Sequence, residues 1–186
     1  MDTIDLFERA TAWASTKVGG AADHLDDPTP CAEWNVKRLL DHMLYIQQMF
    51  AAGPSGGTVG PPSGPPPELL GDDPAGEYEE ARKKTIHAFS QPGVIDGMLN
   101  EGQLPAAVML GIAFCDQLVH GWDLATATGQ DATMPADLAS AALAFIDGKI
   151  PGRSRGPGQN FEDAVPVAED ASDQDKLIAY CGRKPG

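Results

Sequence analysis

The sequence is short of positive charge. Its 13 Lys and Arg stand against 27 Asp and Glu, a formal net charge of −14. A nucleic-acid binder displaces counterions from phosphates with basic surface, and binding to an anionic membrane needs the same. Neither partner is expected. The chain also lacks any run of 18 or more apolar residues, which argues against a transmembrane helix. Its start, Met1-Asp2-Thr3-Ile4-Asp5, has none of the basic character that opens a secretory signal, so a cytoplasmic location is expected. The cysteines are three, Cys31, Cys115 and Cys181, with no CxxC pair. A sparse, odd set does not make a disulfide framework. Thiolate zinc knuckles are excluded as well, so any metal must be held mostly by His and carboxylate.

What is present is helical periodicity, with no internal repeat and no convincing strand. Phe7, Ala10, Ala14, Val18, Ala21 and Leu25 recur at spacings of three and four, which predicts a first helix over 3–25. Asp26-Asp27-Pro28-Thr29-Pro30 should end it. Asn35 suits the N-cap of a second helix over 36–52, with Leu39, Leu40, Met43, Ile46 and Phe50 on its apolar face. From Gly53 to Pro67, eleven of fifteen residues are Gly or Pro, a composition that reads as a mobile spacer loop. A third helix begins at Asp73-Pro74 and closes at Gln91-Pro92-Gly93. A fourth runs from Leu104-Pro105 to Thr128, about 36 Å at the usual rise, with Gly129 as its stop. A fifth spans 135–149, and Ser172 caps a short last helix whose Leu177, Ile178 and Tyr180 should dock on the rest. The expected fold is therefore all-α: a four-helix bundle with an extra short helix and an irregular C-terminal tail. Residues 1–150 make the bundle, and 151–186 form a tail packed on it within the same domain.

Only four histidines occur, and two, His42 and His120, lie inside otherwise apolar helices. Asp116 precedes His120 by four residues, so both side chains project from one helix face, with Cβ atoms ~5–6 Å apart. A carboxylate and an imidazole so placed can share one cation. They can equally form a simple hydrogen-bonded pair, and the spacing does not decide between the two. His42, near the apolar seam of the second helix, is the candidate third ligand. Two His and one carboxylate would leave positions open for water or substrate, as a catalytic metal requires. His24, near the end of the first helix, reads as structural, and His87, beside Lys83 and Lys84, as a solvated residue. Asp123, three residues beyond His120, shares that face and either orients the imidazole or lies in solvent. Trp34 and Trp122 read as packing residues, Gly121 as a point of close helix approach, and Arg153 and Arg155 as surface cations that could also meet a carboxylate.

Two stretches carry a resemblance. Pro28-Thr29-Pro30-Cys31-Ala32-Glu33-Trp34-Asn35-Val36, followed by Leu39-Leu40-Asp41-His42, resembles the first signature of a metal-binding branch of the DinB superfamily, the branch of the mycothiol-dependent maleylpyruvate isomerase N-terminal domain. Leu118-Val119-His120-Gly121-Trp122-Asp123 through Gly129 resembles the second signature, and the tail from Ala164 to Leu177 is similar to the usual ending. The resemblance implies a DinB bundle with a divalent metal bound by His42, Asp116 and His120. The isomerase has Glu where Asp116 stands. At 186 residues the chain is also shorter than an isomerase with its additional C-terminal domain.

These relatives imply a metal-dependent transferase or isomerase acting on a small electrophile, with mycothiol as cosubstrate. A cation in this site would stabilise the thiolate of such a cosubstrate, or acidify a water for hydrolysis. Zinc suits mixed nitrogen and oxygen donors, and nickel, iron and manganese are compatible. A helical bundle that binds metal or a small ligand without turnover is the alternative. Related bundles often pair, so a homodimer is an expected state.

Overall fold

The computed structural model describes residues 2–31, 34–60, 64–150, 152, 155–156 and 161–185. The chain divides into two compact units, 1–132 and 133–186.

The first unit holds four long helices: α1 (Thr3–Val18), α2 (Val36–Ala52), α3 (Pro74–Phe89) and α4 (Ala106–Ala127). In it α1 packs on α3 and α4, and α2 packs on the same two. Each helix thus has two neighbours, and the four close into a bundle. The caps are those that the residue types favour. Asp2, Asn35 and Asp73 each accept a backbone N–H of the first helical turn through a side-chain oxygen. Core positions follow the 3.6-residue period: Phe7, Ala10, Ala14 and Val18 of α1 are buried, as are Leu39, Leu40, Met43 and Phe50 of α2. At Gly121 of α4 a Cβ would come within 2.7 Å of the Trp13 ring and 3.1 Å of Ala14 Cβ. The missing side chain is what lets α4 approach α1.

Three expectations need correction. The first helix ends at Val18, not at residue 25. Gly19-Gly20 each lose more backbone freedom in a helix than any other residue, by about 1 kcal/mol relative to Ala. The chain leaves the helix there and makes only a short 3-10 turn over Ala22–His24. The fourth helix starts at Ala106, because Leu104–Pro105 form a strand (β2) paired antiparallel with Met98–Leu99 (β1). Pro105 stays extended, with φ −60° and ψ 124°, a position where its missing N–H is not needed. The fifth helix is α5 (Ala136–Ile146), shorter at both ends than the periodicity predicts.

The Gly- and Pro-rich stretch after α2 has fixed points. Val59 is buried, and its side chain fills the space left by Gly53, where a Cβ would lie 2.6 Å from Val59 Cγ2. Asn100 holds it from the β1–β2 turn: its Oδ1 accepts the Val59 N–H at 2.9 Å and its Nδ2 donates to the Val59 carbonyl at 2.6 Å. Further on, the N–H groups of Leu69 and Leu70 donate to Asp41 Oδ1 at 2.7 and 2.8 Å. Residues 61–63 of this stretch lie outside the described residues.

In the second unit α5 and α6 (Asp173–Tyr180) pack together. They bury Leu138, Ala139 and Ala142 on one side and Leu177, Ile178 and Ala179 on the other. Ser172 caps α6 as expected, accepting the Asp175 N–H at 3.1 Å. The Val165 N–H donates to the Ala179 carbonyl at 2.9 Å, so the extended segment before α6 is tied to it. No helix among the described residues is long and apolar enough to cross a membrane.

Candidate metal centre

Asp27 to Val36 prepare one wall of the site. The segment folds back on itself, with Thr29 N–H donating to the Trp34 carbonyl at 3.1 Å and Val36 N–H to the Asp27 carbonyl at 3.0 Å. The Thr29 hydroxyl lies 3.1 Å from the Cys31 carbonyl and 2.9 Å from that of Trp34. These bonds hold Trp34 beside the N-cap Asn35, about two turns of α2 ahead of His42. Its ring centroid is 5.0 Å from that of His42 and stacks on His120 at 6.0 Å with 26° between planes. Trp34 is thus a packing residue, as its sequence position suggests, and what it packs on is the pair of imidazoles.

The three residues singled out in the sequence come together. His42 Nε2 on α2 is 3.2 Å from Asp116 Oδ1 on α4, and His120 Nε2, one turn along α4, is 3.6 Å from the same oxygen. One potential donor atom from each lies within 4.8 Å of the others, and among the described residues this is the group of His, Cys, Asp and Glu so arranged. His42 and His120 are buried, while 22% of the Asp116 side chain stays accessible. Behind His120, Asp123 is fully buried, with its Oδ2 2.9 Å from His120 Nδ1. That contact directs Nε2 toward Asp116. The orienting role open to Asp123 on spacing alone is therefore matched by its geometry.

Burial alone would raise the Asp116 carboxyl. The charges of His42 and His120, with hydrogen bonds from His42 and Gln117, outweigh it and hold the group below its ordinary range. Asp116 is thus an anion set between two imidazoles. On its far side, Oδ2 accepts from Gln117 Nε2 at 3.1 Å. Gln117 in turn accepts from the Tyr78 hydroxyl at 2.7 Å. Burial pushes the Tyr78 phenol well above its usual range, with the Asp116 charge adding to the effect, so the hydroxyl remains a donor.

Other candidates lie elsewhere. His24 Nδ1 is 2.7 Å from Asp27 Oδ2, and His87 is exposed beside Gln91. The Arg155 guanidinium sits 4.6 Å from the Tyr180 ring centroid and donates to the carbonyls of Tyr180 and Glu162, so its contacts are internal. Arg153 lies outside the described residues. Trp122 is buried, and none of the three cysteines forms a disulfide.

Sequence reasoning missed Asp41, Gln117 and Tyr78. The available signal was polarity out of place. Gln117 interrupts the apolar run of α4, and Asp41 sits between Leu40 and His42 on a buried face.

Residues 7–125 match the family described as the mycothiol maleylpyruvate isomerase N-terminal domain. The chain belongs to that family. Two further relatives, each an uncharacterized protein of Mycobacterium tuberculosis, one from strain CDC 1551 / Oshkosh and one from strain H37Rv, are 32% identical over 189 residues, covering 98% of this chain and 98% of theirs. In fold, the chain is similar to the crystal structure of the mycothiol-dependent maleylpyruvate isomerase, with a TM-score of 0.55 at 14% identity. A histidine-to-alanine mutant of that enzyme gives 0.56 at 12%. Both matches cover 77% of this chain and 66% of the isomerase chain. At such identity the likeness speaks for the fold, which is the DinB-like bundle that the family resemblance implies.

Proposed function

We propose that this chain is a divalent-metal-dependent enzyme of the DinB type that uses a low-molecular-weight thiol, mycothiol first among them, to act as a transferase or isomerase on a small electrophile. The observation that carries this reading is the convergence of donor atoms from His42, Asp116 and His120. Donors bonded to one cation at about 2.0–2.2 Å lie roughly 3.4 Å apart in a tetrahedral arrangement. Two of the three separations, 3.2 and 3.6 Å around Asp116 Oδ1, fit that requirement, and the third lies within 4.8 Å, so the imidazoles would close on a shared cation. The family and the mycothiol-dependent enzyme of like fold support the thiol.

In this reading His42, Asp116 and His120 hold the cation, with Asp123 accepting the Nδ1 proton of His120 so that Nε2 offers its lone pair. A bound divalent cation supplies positive charge that stabilises the thiolate form of a thiol in contact with it. The donor set carries one formal negative charge, from Asp116, so it does not cancel that of the cation. Three protein donors leave room for an exogenous one. Trp34 packs against both imidazoles. Zinc is the first choice for two imidazoles and a carboxylate, and nickel, iron and manganese suit the same donors. The match covers 66% of the isomerase chain, so the substrate is proposed by class alone.

The test is elemental analysis followed by turnover. Purified protein should carry one divalent ion per chain, lost in both His42→Ala and His120→Ala. Mycothiol should then react with members of an electrophile panel in the absence of chelator and not in its presence. Protein without metal, or variants that keep it, would overturn the metal assignment. Stoichiometric metal with no chelator-sensitive turnover would leave a binding bundle instead of an enzyme.

A further inference from the structure

Inside the bundle, below the three donors, lies a polar chain that the proposed chemistry does not use. Gln117, Gln47 and Tyr78 are all buried, with relative exposures of 0, 0 and 1%. Burying a carboxamide is costly unless its hydrogen bonds are made, and an apolar side chain would fill the same volume without that condition. Gln117 makes all of them. Its Nε2 donates to Asp116 Oδ2 at 3.1 Å and to the Met43 carbonyl at 3.3 Å. Its Oε1 accepts from the Tyr78 hydroxyl at 2.7 Å and from Gln47 Nε2 at 3.3 Å.

The orientation of this amide is fixed by chemistry. A carboxylate and a backbone carbonyl can only accept, so the nitrogen end must face Asp116 and Met43. The oxygen end then faces Tyr78 and Gln47, and both must donate. The four contacts come from α2, α3 and α4, so Gln117 cannot rotate without breaking bonds to each. Asp116 Oδ2 is held by this amide at 3.1 Å, and Oδ1 is the oxygen that lies 3.2 and 3.6 Å from the imidazole nitrogens.

We infer that Gln117 is a positioning residue that holds Asp116 as a one-oxygen donor toward the His42–His120 pair, with Tyr78 acting through it. The inference rests on the metal-binding reading above. Residues that orient a ligand typically change metal affinity by about 10–100-fold when removed. The polar chain could instead serve only to lock the helices together, and the experiment must separate the two.

The measurement is Co²⁺ binding, by competition with a chromophoric chelator and by the visible absorption of the bound ion. It is made on wild type, Gln117→Met, Tyr78→Phe, the double variant and Thr85→Val. The last is a control that removes a buried hydroxyl donating to the Gln47 carbonyl at 2.8 Å without touching Gln117. Gln117→Met should bind Co²⁺ about 10–100-fold more weakly, with an altered spectrum as Asp116 is freed to offer both oxygens. Tyr78→Phe should show a smaller loss that disappears in the Gln117→Met background. Thr85→Val should lower Tm and leave affinity and spectrum unchanged. Affinity and spectrum of Gln117→Met equal to wild type would overturn the inference, whatever its Tm. Should that variant not fold, Tyr78→Phe decides: unchanged affinity overturns the inference and weakened affinity supports it. Wild-type protein that takes up no Co²⁺ would overturn the metal-binding reading itself, an outcome distinct from the other two.

Discussion

At the scale of single residues, opposing effects on a carboxylate decide what it contributes. Glu79 on α3 is a case away from the site. A hydrogen bond from Arg82 is the largest influence on it and burial partly opposes; Lys83 assists Arg82, and the carboxyl is drawn down to about 2. A group depressed in the folded state stabilises it above the unfolded value and loses that contribution as pH falls through the folded value. The Glu79 contribution is therefore full above about pH 4.5 and fades toward pH 2. Because the side chain is 32% accessible, solvent screening limits it to about 1 kcal/mol or less. Chemical denaturation of wild type and Glu79→Gln across that range should give a difference at pH 7 that vanishes at the acid end. The same scale shows what could be read from the sequence. His42, Asp116 and His120 were legible because ionisable residues inside apolar helices are costly, and because two family signatures surround them. Gln117 was not: an uncharged amide carries no chemistry of its own, and its importance lies in four bonds, three of them to residues distant along the chain.

At the scale of elements, α2 was legible to the residue because Asn35 and the apolar face agree on its limits. The ends of α1 and α4 were not. Periodicity continued to Leu25, yet the Gly19-Gly20 pair outweighed it, and the pairing of Met98–Leu99 with Leu104–Pro105 claimed residues that would otherwise open α4. Such contests between local preference and tertiary pairing leave no mark in a helical pattern. The stretch after α2 was harder still, since its composition suggested a free loop while Asn100 ties down Val59 within it and Asp41 holds Leu69 and Leu70 just beyond it. Asp41 is buried and accepts the N–H groups of Leu69 and Leu70 as well as Lys37 Nζ at 3.1 Å. Asp41→Ala would strand two backbone donors and should cost about 3–6 kcal/mol, since bonds to a charged acceptor are worth about 1.5–3 kcal/mol each. Asp41→Asn keeps an oxygen for both donors and should cost less. Thermal denaturation would rank the pair, and equal losses would refute the role assigned to the acceptor oxygen.

At the scale of the whole molecule, the residues of the candidate centre and of the chain behind it all fall within 1–132. So do the four helices that close on one another. A fragment of residues 1–132 should accordingly keep its helical circular dichroism and bind Co²⁺ as the full chain does. A fragment that folds but fails to bind would mean that residues beyond 132 complete the site. The excess of acid over base, −14 in all, bears on the same centre. Such a surface draws cations from solution and repels anions, so a net positive charge at the proposed site would have to be the local exception that receives a thiolate.

The stacking of Trp34 on His42 and His120 has an optical consequence. Indole emission is quenched by a protonated imidazole close to the ring and by many transition ions. Trp34 lies within 6.0 Å of both histidine rings, centroid to centroid. Its fluorescence should therefore change as the centre fills, giving an unlabelled gauge of occupancy. Trp34→Phe should abolish that change and leave the emission of Trp13 and Trp122. The residue that roofs the centre would then also be its built-in lamp.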